Sequence, residues 1–95
     1  MLNGVAPKLP PVIVTVSPPE AAELLTRLLS DYFAVLEHAE GGSRVTIEPI
    51  DDTRRSVVVY RVIQASRTVA GRHPEASQFL VTEDGSRWRL PPPAL

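Results

Sequence analysis

The sequence predicts an α+β domain built as a two-layer sandwich, with its elements in the order strand, helix, strand, helix, strand, strand. Three observations support this order: a β-branched run at residues 12–16, two stretches with apolar side chains at helical spacing, and a hairpin signal around Asp84-Gly85. An alternative arrangement of the same chain packs one helix on an antiparallel meander of five strands. The fold class is α+β in both.

The first two elements follow directly from local sequence. The run at 12–16, Val-Ile-Val-Thr-Val, is typical of a strand buried on both faces. Ser17 and the Pro-Pro-Glu that follows predict a helix start, with a capping hydroxyl, prolines in the first turn and a glutamate three residues on. Apolar residues then recur every three or four positions, which predicts a helix to about Glu40 that Gly41-Gly42 ends.

The middle of the chain contains one clear strand and one ambiguous segment. Residues 44–48 alternate polar and apolar side chains and predict a half-buried strand. Residues 51–71 have apolar side chains at helical spacing, but the valine-rich run 57–63 is also typical of a strand. We predict a helix there. The two helical connections then make the first three strands parallel neighbours.

The last predicted element is a hairpin, and its Asp-Gly turn predicts the register of its strands. A two-residue turn sets Val81 opposite Trp88 and Phe79 opposite Leu90, so that the four apolar side chains share one face. A hairpin with one apolar face must pack on other elements to be stable in water. We therefore predict that this face belongs to the core.

Length and composition predict one small domain at residues 12–90, preceded by a flexible arm at 1–11 and followed by a proline-rich stub at 91–95. The chain has no cysteine, which excludes disulfides and thiolate metal sites, and its net charge is −1. No apolar run reaches the roughly 20 residues of a membrane span. We expect a soluble cytoplasmic protein without a membrane partner.

The sequence contains no motif for catalysis or for a cofactor. His38 and His73 have no second histidine or cysteine at metal-ligand spacing, and neither a phosphate-binding loop nor a nucleophile motif occurs. The paired carboxylates at 51–52 and 83–84 lie at positions typical of helix caps and turns. We therefore expect no enzyme activity, no cofactor and no metal.

Arginines and the single tryptophan are the candidate contact residues. Nine of the ten basic residues are arginine, whose planar guanidinium binds carboxylates and phosphates through two hydrogen bonds. Three arginines align along one edge of the second predicted helix, and two more flank the tryptophan on the last strand. The predicted contact surface comprises Arg54, Arg61, Arg72, Arg87, Trp88 and Arg89.

These features predict a small non-enzymatic protein-interaction or assembly module, either an adaptor or a subunit of a larger complex. Its partner is another protein or a second copy, for which a homodimer through the last strand is one form, because an edge strand leaves backbone groups unpaired. The alternative is an RNA- or phosphate-binding domain that uses the arginine-rich segment 54–72. The net charge and the small number of aromatic residues disfavour nucleic acid.

A resemblance points the same way. Residues 69–90 read Val-Ala-Gly-Arg-His-Pro-Glu-Ala-Ser-Gln-Phe-Leu-Val-Thr-Glu-Asp-Gly-Ser-Arg-Trp-Arg-Leu, a helix end followed by an Asp-Gly hairpin. This resembles the C-terminal part of the effector-associated constant component domains of bacterial conflict systems, in which a strand and a leucine-rich helix also come first. Residues 54–71 depart from the family, whose middle segment is rich in small apolar residues. The resemblance implies a non-enzymatic adaptor and supplies no site residues.

Overall fold

The residues that the structure describes form a five-stranded antiparallel sheet with two α-helices packed on one of its faces. The computed structural model describes residues 11–48, 55–82 and 84–92. The elements are β1 (Val12–Ser17), α1 (Pro19–Leu28), β2 (Val35–Ala39), β3 (Gly42–Ile47), α2 (Arg55–Arg72), β4 (Ser77–Val81) and β5 (Arg87–Leu90), with a 3₁₀ turn at Ser30–Tyr32. The predicted α+β class and the predicted second helix are confirmed.

The strand order is β2-β3-β1-β4-β5, and every neighbouring pair is antiparallel. Each helix connects two strands that run in the same direction and have a third strand between them. This is the split βαβ arrangement called ferredoxin-like, extended by β5 at one edge. The prediction that the first three strands are parallel neighbours is wrong, because β2 and β3 form a hairpin whose first strand we assigned to the helix.

The end of α1 is the main difference from the sequence prediction. The helix stops at Leu28, and Phe33 then takes a left-handed backbone conformation with φ of 55°. Although the apolar spacing continues through Leu36, this side chain packs against the core from a strand that pairs with β3. The tight turn between β2 and β3 uses Gly41 at φ of 80°, which glycine adopts without strain. The two glycines therefore make a hairpin turn and do not end the helix.

The start of α1 also differs in its cap. Pro18 is the N-cap residue, and its carbonyl accepts hydrogen bonds from the N–H groups of Ala21 at 3.0 Å and Ala22 at 3.3 Å. No side chain caps the helix, so the predicted role of the Ser17 hydroxyl is wrong. Of the two prolines predicted in the first turn, Pro19 is the first helical residue, whereas Pro18 precedes the helix as its N-cap.

The core lies between the sheet and the two helices. Burial alternates along β1, with Val14 fully covered and Ile13 and Thr15 half-buried on the opposite face. The predicted burial of this strand on both faces is therefore wrong, since helices cover one face only. Buried Gln78 on β4 connects the two layers by donating a hydrogen bond of 3.0 Å to the carbonyl of Ser66 in α2.

The register of the last hairpin differs by one residue from the predicted one. Leu80 lies opposite Trp88, and the N–H of Thr82 donates to the carbonyl of Ser86 at 2.8 Å. The loop therefore spans the three residues 83–85, where the prediction used two. Because side chains alternate along a strand, this shift exchanges the faces of β4 relative to β5.

The consequence is that the predicted apolar face is divided between the two sides of the sheet. Phe79 and Val81 lie on the open face, whereas Trp88 and Leu90 lie on the helix face. The described elements end with β5 at the sheet edge. Neither α1 nor α2, the two α-helices in the described residues, combines the length and apolar character that a membrane span requires.

Candidate functional site

The outer edge of β5 is accessible along the described part of the chain. The strand pairs only with β4, so its outward backbone groups face no described strand. Its side chains alternate, with Arg87 and Arg89 on the open face and Trp88 and Leu90 on the helix face. An edge strand of this kind offers a row of N–H and C=O groups to which an added strand can pair.

An apolar groove of about 650 Å³ lies beside this edge, between β5 and α2. Val59 and Ile63 form the helix side, and Leu80 and Leu90 contribute from the sheet. The complete lining is Arg55, Val59, Ile63, Leu80, Thr82, Arg87, Trp88, Arg89, Leu90 and Pro92. Its volume lies within the range of protein sites that accept ligands or the side chains of a partner.

Trp88 is the exposed large apolar residue among those that line this groove. The side chain points to the helix face, yet the residue is 65% exposed, while Leu90 on the same face is 5% exposed. The predicted core position of Trp88 is wrong, because α2 covers Leu90 and does not extend over its neighbour. An exposed tryptophan at an apolar groove has the form of the aromatic anchors that dominate binding energy at protein interfaces.

The charged residues among the described lining of the groove are arginines, and Asp84 lies beside the groove in a neighbouring pocket with Arg55 and Trp88. On the open face, the guanidinium carbon of Arg87 lies 5.2 Å from the ring centroid of Phe79, within the range of a cation–π contact. Arg89 is exposed and forms no ion pair with any residue in the described ranges. Arg55 lines the groove from α2, and none of the described lining residues is acidic.

The turn before β5 is fixed by hydrogen bonds to Asp84. The Thr82 hydroxyl and, at 2.9 Å, the Ser86 N–H both donate to the same carboxylate oxygen. These hydrogen bonds lower the pKa of Asp84 to about 2, and the bond from Thr82 has the largest effect. Gly85 follows at φ of 87°. The prediction that Asp84 supports a turn is confirmed. Glu83, the other carboxylate of the pair at 83–84, lies outside the described residues.

The predicted contact surface is divided by the structure. Arg87, Trp88 and Arg89 lie together on β5, as predicted. Arg61 lies elsewhere on α2 and donates to the side-chain oxygen of Gln64 at 3.3 Å on the exposed surface. Arg72 is exposed in the last turn of α2 and does not line the groove.

Arg54, the remaining predicted contact residue, lies outside the described residues, as does the carboxylate pair at 51–52. Val59 and Ile63, which line the groove, were predicted only as part of the apolar face of a helix and not as contact residues. A signal was present, because that apolar arc is wider than the strip a single helix buries against a sheet.

The two histidines lie on different parts of the fold, one in a strand and one after a helix. His38 lies on the edge strand β2, not at a helix end as predicted, with its Nδ1 2.8 Å from the Ser43 hydroxyl. His73 follows α2 in a connecting segment, as predicted, with its Nδ1 3.5 Å from the carboxylate of Glu75. Within residues 11–48, 55–82 and 84–92, no three His, Cys, Asp or Glu side chains are grouped so as to hold a metal ion.

Comparison with known proteins identifies no relative. No protein-family model matches the chain, and no curated protein or solved structure is detectably similar to it.

Proposed function

We propose that this chain is a small non-enzymatic protein-interaction module that contacts its partner through the β5 edge and the adjoining groove. The observation that carries this proposal is Trp88, which is 65% exposed at an apolar groove, on an edge strand that pairs with β4 and with no other described strand. Leaving such a side chain in water is unfavourable, and covering it on binding returns that free energy.

The shape of the site favours a protein over a small molecule. One wall is the edge of a sheet, whose backbone groups can pair with an extended segment of a partner. The side chains of β5 then make two kinds of contact. Trp88 contacts the apolar part of the partner, and Arg87 and Arg89 contact its carboxylates. A partner segment that alternates acidic and apolar residues matches both faces of β5.

The arginines of α2 support the alternative of phosphate or RNA binding less well. Arg61 and Arg72 are exposed but lie away from the groove and from the arginines of β5. Single-stranded nucleic acid is bound by aromatic stacking together with a continuous basic channel. Arg61 lines a pocket with Tyr60, which is 54% exposed, but Arg72 is not among the residues that line it, so the exposed arginines of α2 do not share one pocket there.

A capture experiment with matched variants tests the proposal. Immobilised wild type, Trp88→Ala and Tyr60→Ala are compared for the proteins they retain, which are identified by mass spectrometry. Tyr60 is the control, because it is an aromatic residue that is 54% exposed on α2 and does not line the groove. We expect Trp88→Ala to lose partners that Tyr60→Ala keeps. Identical sets for all three proteins would refute the proposed contact surface.

A further inference from the structure

The two outer edges of the sheet carry opposite charges at the same level. Successive cross-strand pairs place one residue of each strand in a single row across the open face. From β2 to β5 the row reads Glu37, Arg44, Thr15, Phe79 and Arg89. Its ends are therefore an exposed carboxylate on one edge and an exposed guanidinium on the other.

Strand direction restricts how two copies can extend one sheet while their helices stay on the same side. Every neighbouring pair between β2 and β5 is antiparallel, so the two edge strands run in the same direction. A copy displaced along the sheet therefore places its β2 parallel to β5 of the first copy. A copy related by a two-fold axis instead places β5 against β5, or β2 against β2, in antiparallel orientation.

Charge selects between these arrangements. Directly opposed residues of an antiparallel pair share a face, so β5 against β5 sets Arg87 and Arg89 of the two copies side by side. Pairing of β2 with β2 likewise brings both Glu37 carboxylates onto one face. Of these arrangements, only the displaced copy places its Glu37 beside Arg89 of the first copy. The row across the open face then continues into the next copy through an ion pair.

We propose, on the basis of the protein-contact function proposed above, that copies of this chain associate head to tail by pairing β5 of one copy with β2 of the next. Because α1 packs on β2 within each copy, this pairing brings the next copy's α1–β2 segment to the groove beside Trp88. That segment carries Leu28 and Phe33, which is 72% exposed. The contact thus combines an ion pair on the open face with apolar burial on the helix face.

The geometry makes this assembly open-ended. A contact between two different edges leaves one β2 and one β5 at the ends of every assembly, so further copies can add. Strand twist of roughly 20–25° accumulates to roughly 100–125° over five strands, so successive copies follow a helical path. Charged edge residues also discourage pairing between sheets, but in this arrangement the open faces of the two edges that meet carry opposite charges, which attract.

Sedimentation velocity over a wide concentration range, at low and high salt, tests the proposal. The wild type is expected to form species larger than a dimer as concentration rises, and salt is expected to weaken them. Arg89→Glu and Glu37→Arg are each expected to weaken association about tenfold, and the two together in one chain to restore it. Arg72→Glu makes the same charge change away from both edges and is expected to have no effect.

Three results would overturn head-to-tail pairing: a wild-type monomer at every concentration, a dimer that does not grow, or a double variant as weak as the single ones. Circular dichroism checks that each variant folds. If a charge reversal unfolds the chain, Arg89→Gln and Glu37→Gln remove the charges and are expected to weaken association by a smaller factor. The protein-contact function is tested separately by the capture experiment, and it fails there when Trp88→Ala retains the same partners as the wild type.

Discussion

The contribution of Trp88 to stability separates a contact residue from a core residue. Trp88 and Leu90 lie on the same face of β5, but they are 65% and 5% exposed, respectively. Only about a third of the tryptophan is covered, or roughly 90 of about 250 Å². At roughly 25 cal/mol per Å², that area corresponds to about 2 kcal/mol as an upper limit.

We therefore expect Trp88→Ala to lower the free energy of unfolding by about 1–2 kcal/mol, and Leu90→Ala to lower it by about 3 kcal/mol or more because it leaves a cavity in the core. Urea unfolding followed by circular dichroism measures both changes. Tryptophan fluorescence cannot follow unfolding of Trp88→Ala, because Trp88 is the only tryptophan in the sequence. A larger loss for Trp88→Ala than for Leu90→Ala would refute the exposed position of Trp88 and, with it, the proposed function.

Two further changes have expected outcomes that depend on other parts of the structure. Thr15→Val should raise the free energy of unfolding by about 1 kcal/mol, because the covered hydroxyl has no hydrogen-bond partner among the described residues. Urea unfolding measures this change. The control is Thr46→Val on β3, which is expected to change the free energy of unfolding by less than about 0.5 kcal/mol. A clear loss of stability in Thr15→Val would show that the hydroxyl is bonded. The pKa of Asp84 lies below its ordinary value of 3.8, so the stabilisation it provides is complete above that pH and is lost as the pH falls toward about 2. Urea midpoints of wild type and Asp84→Asn should therefore converge over this interval, and a constant difference would contradict the turn's hydrogen bonds.

Local sequence was sufficient for the elements whose signals did not compete. The β-branched run of β1 and the alternation of β3 each predicted an element that the structure contains. In α2 the helical spacing competed with a valine-rich run typical of a strand, and the helix that we predicted is present. The grouping of Arg87, Trp88 and Arg89 on one edge strand was also predicted, because it needs only the hairpin and its position at the end of the sheet.

Two features could not be predicted locally, because tertiary contacts decide them. The segment from Tyr32 to Ala39 has apolar side chains at a spacing that suits a helix, but its pairing with β3 satisfies a row of backbone groups and packs Leu36 against the core. The register of the last hairpin depends on a loop of three residues in place of two, a difference of one residue that the Asp-Gly signal does not specify.

By itself, the sequence determined that this is a small α+β domain with a hairpin at its end and arginines around one tryptophan. Only the tertiary structure decided which side chains that hairpin buries, because a shift of one residue moves every side chain to the opposite face. The register of the strands also placed Trp88 beside α2 at a position that α2 does not cover. It aligned Glu37 with Arg89 at opposite edges of the sheet. Both arrangements depend on pairing between strands distant in the chain, which local patterns of residues do not record.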